Sequence, residues 1–69
     1  MRIIVDEKYV TFKKGNFVYD IPFSRLKSPI QLLDWTCHLS EKNWVDADLL
    51  GRFIETVATF KGWEVRGAA

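Results

Sequence analysis

The sequence predicts a small α+β domain, in which a three-stranded antiparallel β-meander precedes an antiparallel two-helix hairpin packed on one face of the sheet. Apolar residues alternate with a period of two before residue 22 and recur with the helical period of 3.6 from residue 28 onward. Turn residues separate the strands, and capping residues mark both helix starts. We therefore expect a single domain over 1–69, with the meander at 1–22, the helix pair at 28–62 and a tail at 66–69.

The three strands follow one another with short turns. A β-branched run at 2–5 is the first strand, and Asp6 and Glu7 turn it onto the second. The runs 8–13 and 16–21 alternate on either side of a glycine turn, which is typical of a hairpin. The third strand ends at Pro22, which lacks a backbone donor, and the sequence leaves open whether 63–66 adds a further strand. Pairing Phe12 with Phe17 places one set of apolar side chains on a shared face: Val10, Phe12, Phe17, Tyr19 and Ile21.

The first helix has a strong start. Ser28 is placed to cap it, Pro29 takes the first helical position, and Gln31 can reach back to complete a capping box.

This helix is apolar around roughly 220° of its circumference, about twice the arc that a surface helix needs. The apolar residues form two sets on a helical wheel, with a polar wedge of Gln31, Asp34 and His38 between them. Two explanations stay open: a partner covers one set, or the sheet and the second helix bury both sets in a monomer. The two sets are Ile30, Leu33 and Cys37, and Leu32, Trp35 and Leu39.

The second helix is amphipathic in the ordinary way, with one apolar and one polar half. Asp46 is expected to cap it, Asp48 lies in the first turn, where the helix dipole favours an acid, and Gly62 follows Lys61 as a left-handed stop.

Composition limits the class of protein. A chain of 69 residues buries only about 60% of its unfolded surface, and a single cysteine cannot form an intrachain disulfide. No Cys/His cluster has zinc spacing, so we expect no cofactor, and oligomerisation remains as the stabilising device. The longest apolar runs fall well short of a membrane span, and the start lacks a signal peptide's apolar stretch. The sequence therefore predicts a cytoplasmic location and no membrane association.

A nucleic-acid interface is the second functional hypothesis. The chain carries six basic and three acidic residues through Lys27, and four basic against six acidic residues from Ser28 onward. A helix-turn-helix fits poorly, because Asp46 and Asp48 at the start of the second helix would repel phosphate. The remaining candidate is a basic patch, which requires the hairpin tip to lie near the connection between the last strand and the first helix. Its residues are Lys13, Lys14, Arg25 and Lys27.

A catalytic hypothesis has little to build on. Asp34 and His38 are spaced i, i+4 and can share a helix face, which is also typical of an ordinary surface pair. Cys37 points about 100° away from His38 on the helical wheel, so the two do not form a nucleophile pair. We therefore predict a protein that is not an enzyme.

One segment resembles short uncharacterised bacterial proteins of mobile elements, of the kind carried on integron gene cassettes. The resemblance rests on Leu33-Asp34-Trp35, His38-Leu39-Ser40-Glu41-Lys42 and Trp44-Val45, and covers about half of the chain. It implies a bacterial cytoplasmic protein and transfers no functional residue.

Together these observations predict a non-enzymatic protein–protein interaction module that forms a homodimer or binds another protein. A small nucleic-acid-binding regulator is the alternative. The residues expected at the protein interface are Leu32, Trp35, Leu39 and Trp44.

Overall fold

The computed structural model describes residues 1–64 and confirms the α+β fold. Strands β1, β2 and β3 pair in sequential order in one antiparallel sheet, and a short 3-10 helix connects the sheet to helices α1 and α2. The expected tail at 66–69 lies outside the described residues, as does the second half of the possible strand at 63–66. Trp63 and Glu64 are not part of a strand. The elements are β1 at Arg2–Val5, β2 at Tyr9–Lys14, β3 at Phe17–Pro22, the 3-10 helix at Phe23–Arg25, α1 at Pro29–Ser40 and α2 at Ala47–Lys61.

The hairpin register differs from the predicted one by two residues. Phe12 pairs with Tyr19 rather than with Phe17, and Phe17 instead pairs with Lys14 across a two-residue turn. Gly15 at the first turn position has a φ of 57°, which the tight turn requires and which glycine adopts without strain. Because side chains alternate along a strand, a shift of two leaves the predicted inner face unchanged.

The turn between β1 and β2 is built on Asp6. Its Oδ1 accepts hydrogen bonds from the backbone N–H groups of Lys8 at 2.7 Å and Tyr9 at 2.8 Å. The hydrogen bonds from Tyr9 and Lys8 lower the pKa of the Asp6 carboxyl, because they favour its charged form. Asp6 therefore fixes the direction in which β2 leaves β1.

Both helix starts are capped by the predicted residues. Ser28 Oγ accepts the N–H of Gln31 at 3.3 Å, and Asp46 Oδ1 accepts the N–H of Leu49 at 2.8 Å. The capping box is displaced by one residue, because Gln31 Oε1 accepts the N–H of Lys27 at 2.6 Å instead of that of Ser28. The first turn of α1 is thereby tied to the segment that leads into it.

The core lies between the inner face of the sheet and the two helices. Phe12 is its central side chain, with its ring centroid 5.6 Å from that of Phe53 on α2. None of the described residues buries a polar or charged side chain, so apolar burial holds the elements together. The buried cluster comprises Val10, Phe12, Ile21, Phe23, Leu26, Leu32, Leu39, Leu49, Phe53 and Val57.

The end of α2 is closed by a glycine-dependent cap. Gly62 has a φ of 76°, its N–H donates to the carbonyl of Thr59 at 3.2 Å, and the N–H of Trp63 donates to that of Ala58 at 2.8 Å. This pair of bonds is the Schellman arrangement, and it turns Trp63 back onto the core.

Two glycine substitutions in and after α2 are expected to act in opposite directions. Gly62→Ala should lower the free energy of unfolding by about 1–2 kcal/mol, because alanine is strained at a positive φ. Gly51→Ala should raise it by about 0.5–1 kcal/mol, because Gly51 lies inside the helix and an added Cβ meets nothing within 4 Å. Urea denaturation of both variants checks the pair, and a shift of both midpoints in one direction would contradict the cap.

Candidate interaction surfaces

The structure corrects the predicted protein interface. Leu32 and Leu39 are only 4% and 0% exposed, so they belong to the core and offer nothing to a partner. Trp35 and Trp44 are partly buried and pack against the same core. The apolar set of Leu32, Trp35 and Leu39 is predicted to face a partner, but it faces the sheet and α2 instead.

The other apolar set of α1 faces outward. Ile30 is 67% and Leu33 is 58% exposed, and Cys37 is exposed one turn further along. We call Ile30, Leu33 and Cys37 the outer stripe. Exposed Lys27 precedes it and exposed Glu41 follows it, so the stripe has a basic end and an acidic end.

The open face of the sheet also exposes apolar side chains, namely Ile4, Tyr9 and Val18. A hydrogen bond of 2.6 Å from Thr11 Oγ1 to Asp20 Oδ1 lies between them. Arg2 and Lys13 form a cross-strand pair at the edge of the same face. Polar and charged groups thus interrupt this face, whereas the outer stripe is continuous over two helical turns.

A shallow cavity of about 440 Å³ lies beside α1 and contains the pair considered for catalysis. Arg25, Asp34, Trp35 and His38 line it, and the His38 ring stands perpendicular to the Trp35 ring with centroids 5.3 Å apart. In the described part of the chain no hydrogen bond or ion pair joins Asp34 to His38. Their spacing along the helix therefore does not orient the imidazole, and Cys37 lies outside this cavity.

The predicted basic patch is not assembled. Lys13 and Lys14 are at the hairpin tip, while Arg25 and Lys27 follow the opposite end of β3. A strand of this length spans roughly 17–20 Å, so the two pairs of cations lie at opposite ends of the sheet. Lys13 and Lys14 also point to opposite faces, as successive strand residues do.

The hairpin tip instead carries a cluster of aromatic rings that sequence reasoning did not assemble. Trp44, in the loop between the helices, lies with its ring centroid 5.0 Å from that of Phe17 and 5.3 Å from that of Tyr19. Lys42 Nζ is 5.4 Å from the centroid of the Tyr19 ring, and Lys14 is the cross-strand partner of Phe17. We call Lys14, Phe17, Tyr19, Lys42 and Trp44 the tip surface.

Comparison of the chain with protein-family models, with curated proteins and with solved structures finds no match. Within residues 1–64, no group of three or more His, Cys, Asp or Glu side chains is placed to hold a metal ion. Neither helix of this part of the chain has the length and apolar character needed to cross a membrane.

Proposed function

We propose that the chain is a non-enzymatic interaction module that forms a homodimer through the outer stripe of α1. The exposure of Ile30 and Leu33 carries this proposal. Single exposed apolar residues are ordinary on protein surfaces, but these two large side chains lie one turn apart on the same helix face. With Cys37 they form an apolar ridge about 10 Å long, and its removal from water favours association.

The opposite charges at the two ends of the outer stripe are complementary to those of a second copy of the chain. If two α1 helices cross a two-fold axis antiparallel near Leu33, Ile30 of one copy lies opposite Cys37 of the other. The same axis places Lys27 opposite Glu41, and neither forms an ion pair among the described residues. The surface is thus complementary to itself, as a two-fold interface requires. The two helix dipoles are antiparallel in this arrangement.

The size of the stripe sets the expected strength of the dimer. A helix of 12 residues is about 18 Å long, and one face of it covers less than the roughly 800 Å² per partner of a standard interface. We therefore expect association that depends on concentration in the micromolar range. Dimerisation also stabilises a small domain by mass action, since only the folded chain presents the stripe.

Leu33→Lys is expected to abolish the dimer, because two lysines would face each other across the axis in place of an apolar contact. Sedimentation velocity over a range of protein concentrations measures this. Val18→Lys is the matched control, since Val18 is similarly exposed at 53% but lies on the open sheet face. A wild-type protein that stays monomeric throughout, or a dimer lost in Val18→Lys and kept in Leu33→Lys, would overturn the proposal.

Charge exchange tests the antiparallel arrangement. Lys27→Glu alone should weaken the dimer, because the introduced carboxylate of one copy would meet Glu41 of the other, and adding Glu41→Lys should restore it. Sedimentation velocity of the single and double variants measures the change. A double variant no stronger than the single one would rule out this pairing.

A further inference from the structure

The tip surface has properties that the proposed dimer does not use. Phe17 is 39% exposed although its ring is large and apolar, and Tyr19 and Trp44 are partly buried beside it. Phe12 beneath them is buried, with its centroid 5.5 Å from that of Trp44. The inner side of this cluster therefore closes the core, while its outer side presents three rings to solvent.

Two cations flank these rings. Lys14 shares the sheet face of Phe17 at one end, and the Lys42 ammonium approaches the Tyr19 ring at the other. No ion pair neutralises either lysine in the part of the chain that the structure describes. The acids nearest to Lys42 in sequence are Glu41, which is adjacent to it, and Asp46, whose Oδ1 accepts the N–H of Leu49. Asp20 points to the other sheet face, where it accepts a hydrogen bond from the hydroxyl of Thr11.

We infer that the tip surface binds single-stranded nucleic acid, with bases stacked on the rings of Phe17, Tyr19 and Trp44 and phosphates held by Lys14 and Lys42. Proteins that bind single strands combine a basic track with aromatic rings in this way, and every base offers a face for stacking. The Trp44 ring contacts the rings of Phe17 and Tyr19, with centroids 5.0 and 5.3 Å apart, so the outer sides of the three rings form one aromatic platform for the bases. This site is separate from the outer stripe and does not depend on the dimer.

A single strand suits this surface better than a duplex does. The base faces of a duplex are already stacked on their neighbours, so rings that are half-buried in a protein cannot reach them. Two phosphate-binding lysines also provide only a small electrostatic contribution, which is insufficient for tight duplex binding without base contacts. The rings supply the larger part of the binding in this arrangement.

The test is fluorescence anisotropy of a short labelled oligothymidylate, titrated with the full chain at low salt. We expect binding that is stronger than to a labelled duplex of equal length. Phe17→Ser should lower the affinity by about five- to a hundredfold, because it removes one stacking ring. Val18→Ser is the matched control, since it changes the next residue of β3 on the opposite sheet face, and it should leave the affinity unchanged.

Charge variants give a second, independent measurement. Lys14→Gln with Lys42→Gln should weaken binding and reduce the slope of log affinity against log salt by about 1.4, or 0.7 per lost phosphate contact. Arg25→Gln with Lys27→Gln removes as much charge from the far end of the sheet and should leave the slope unchanged. Leu33→Lys, which disrupts the proposed dimer, should still bind the oligonucleotide.

Several results would overturn the inference. They are no binding of the oligonucleotide at low salt, equal affinity for the duplex, full displacement of the oligonucleotide by polyglutamate, or an affinity for the oligonucleotide that Phe17→Ser does not change. Binding to vesicles of anionic lipid that is lost in Phe17→Ser, with none to the oligonucleotide, would assign the surface to a membrane instead.

Discussion

Phe12→Ala is expected to lower the free energy of unfolding by about 3–5 kcal/mol, because it removes the central ring of the core. The Phe12 ring lies within 6.3 Å, centroid to centroid, of Tyr19, Trp44 and Phe53, so its loss leaves a cavity that borders β3, the interhelical loop and α2. Folded domains are stable by only about 5–15 kcal/mol, and small ones lie at the lower end. Denaturation in urea, followed by tryptophan fluorescence, measures the change.

Tyr9→Ala is the matched control for this variant. Tyr9 lies on the same strand and is 42% exposed on the open face of the sheet, so its truncation should cost about 1 kcal/mol or less. Equal losses in the two variants would mean that the helices do not cover the sheet face to which Phe12 belongs.

Leu39→Ala is expected to cost about 2–5 kcal/mol, whereas Leu33→Ala in the same helix should change the free energy of unfolding by about 0.5 kcal/mol or less. The chemical change is identical, and only the exposure differs, at 0% for Leu39 and 58% for Leu33. Thermal and urea denaturation at a concentration where the protein is monomeric separates folding from association. A larger loss in Leu33→Ala would place the outer stripe in the core and contradict the orientation of α1.

The parts of the fold that sequence predicts well are local. Ser28, Asp46 and Gly62 act within one helical turn of their own position, so residue type and spacing suffice to assign them. The alternation of apolar residues likewise assigns the inner face of the sheet. It does not assign the hairpin register, because pairing Phe12 with Phe17 or with Tyr19 buries the same face.

The surfaces are harder to predict because they depend on how the elements pack. The helical wheel of α1 has two apolar sets, and only the positions of the sheet and α2 decide that Leu39 is inside and Leu33 outside. The prediction of a basic patch is wrong, because the full length of β3 separates the hairpin tip from Arg25. Trp44 lies in an irregular loop without periodicity, so its contact with Phe17 had no signature in the sequence.

The packing of α2 against β1 has a consequence for how the nascent protein matures on the ribosome. Arg52 Nη1 donates to the carbonyl of Met1 at 3.2 Å, and α2 covers β1, the first strand of the sheet. The sheet is complete at Pro22, but its covering helix is complete only at Lys61, roughly 40 residues later, or about 2–8 s at usual translation speeds. During that interval the apolar sheet face has no cover, and its side chains stay in contact with water. The core is therefore complete only after α2 has been synthesised, and chaperones that shield apolar surface have their opportunity before α2 emerges.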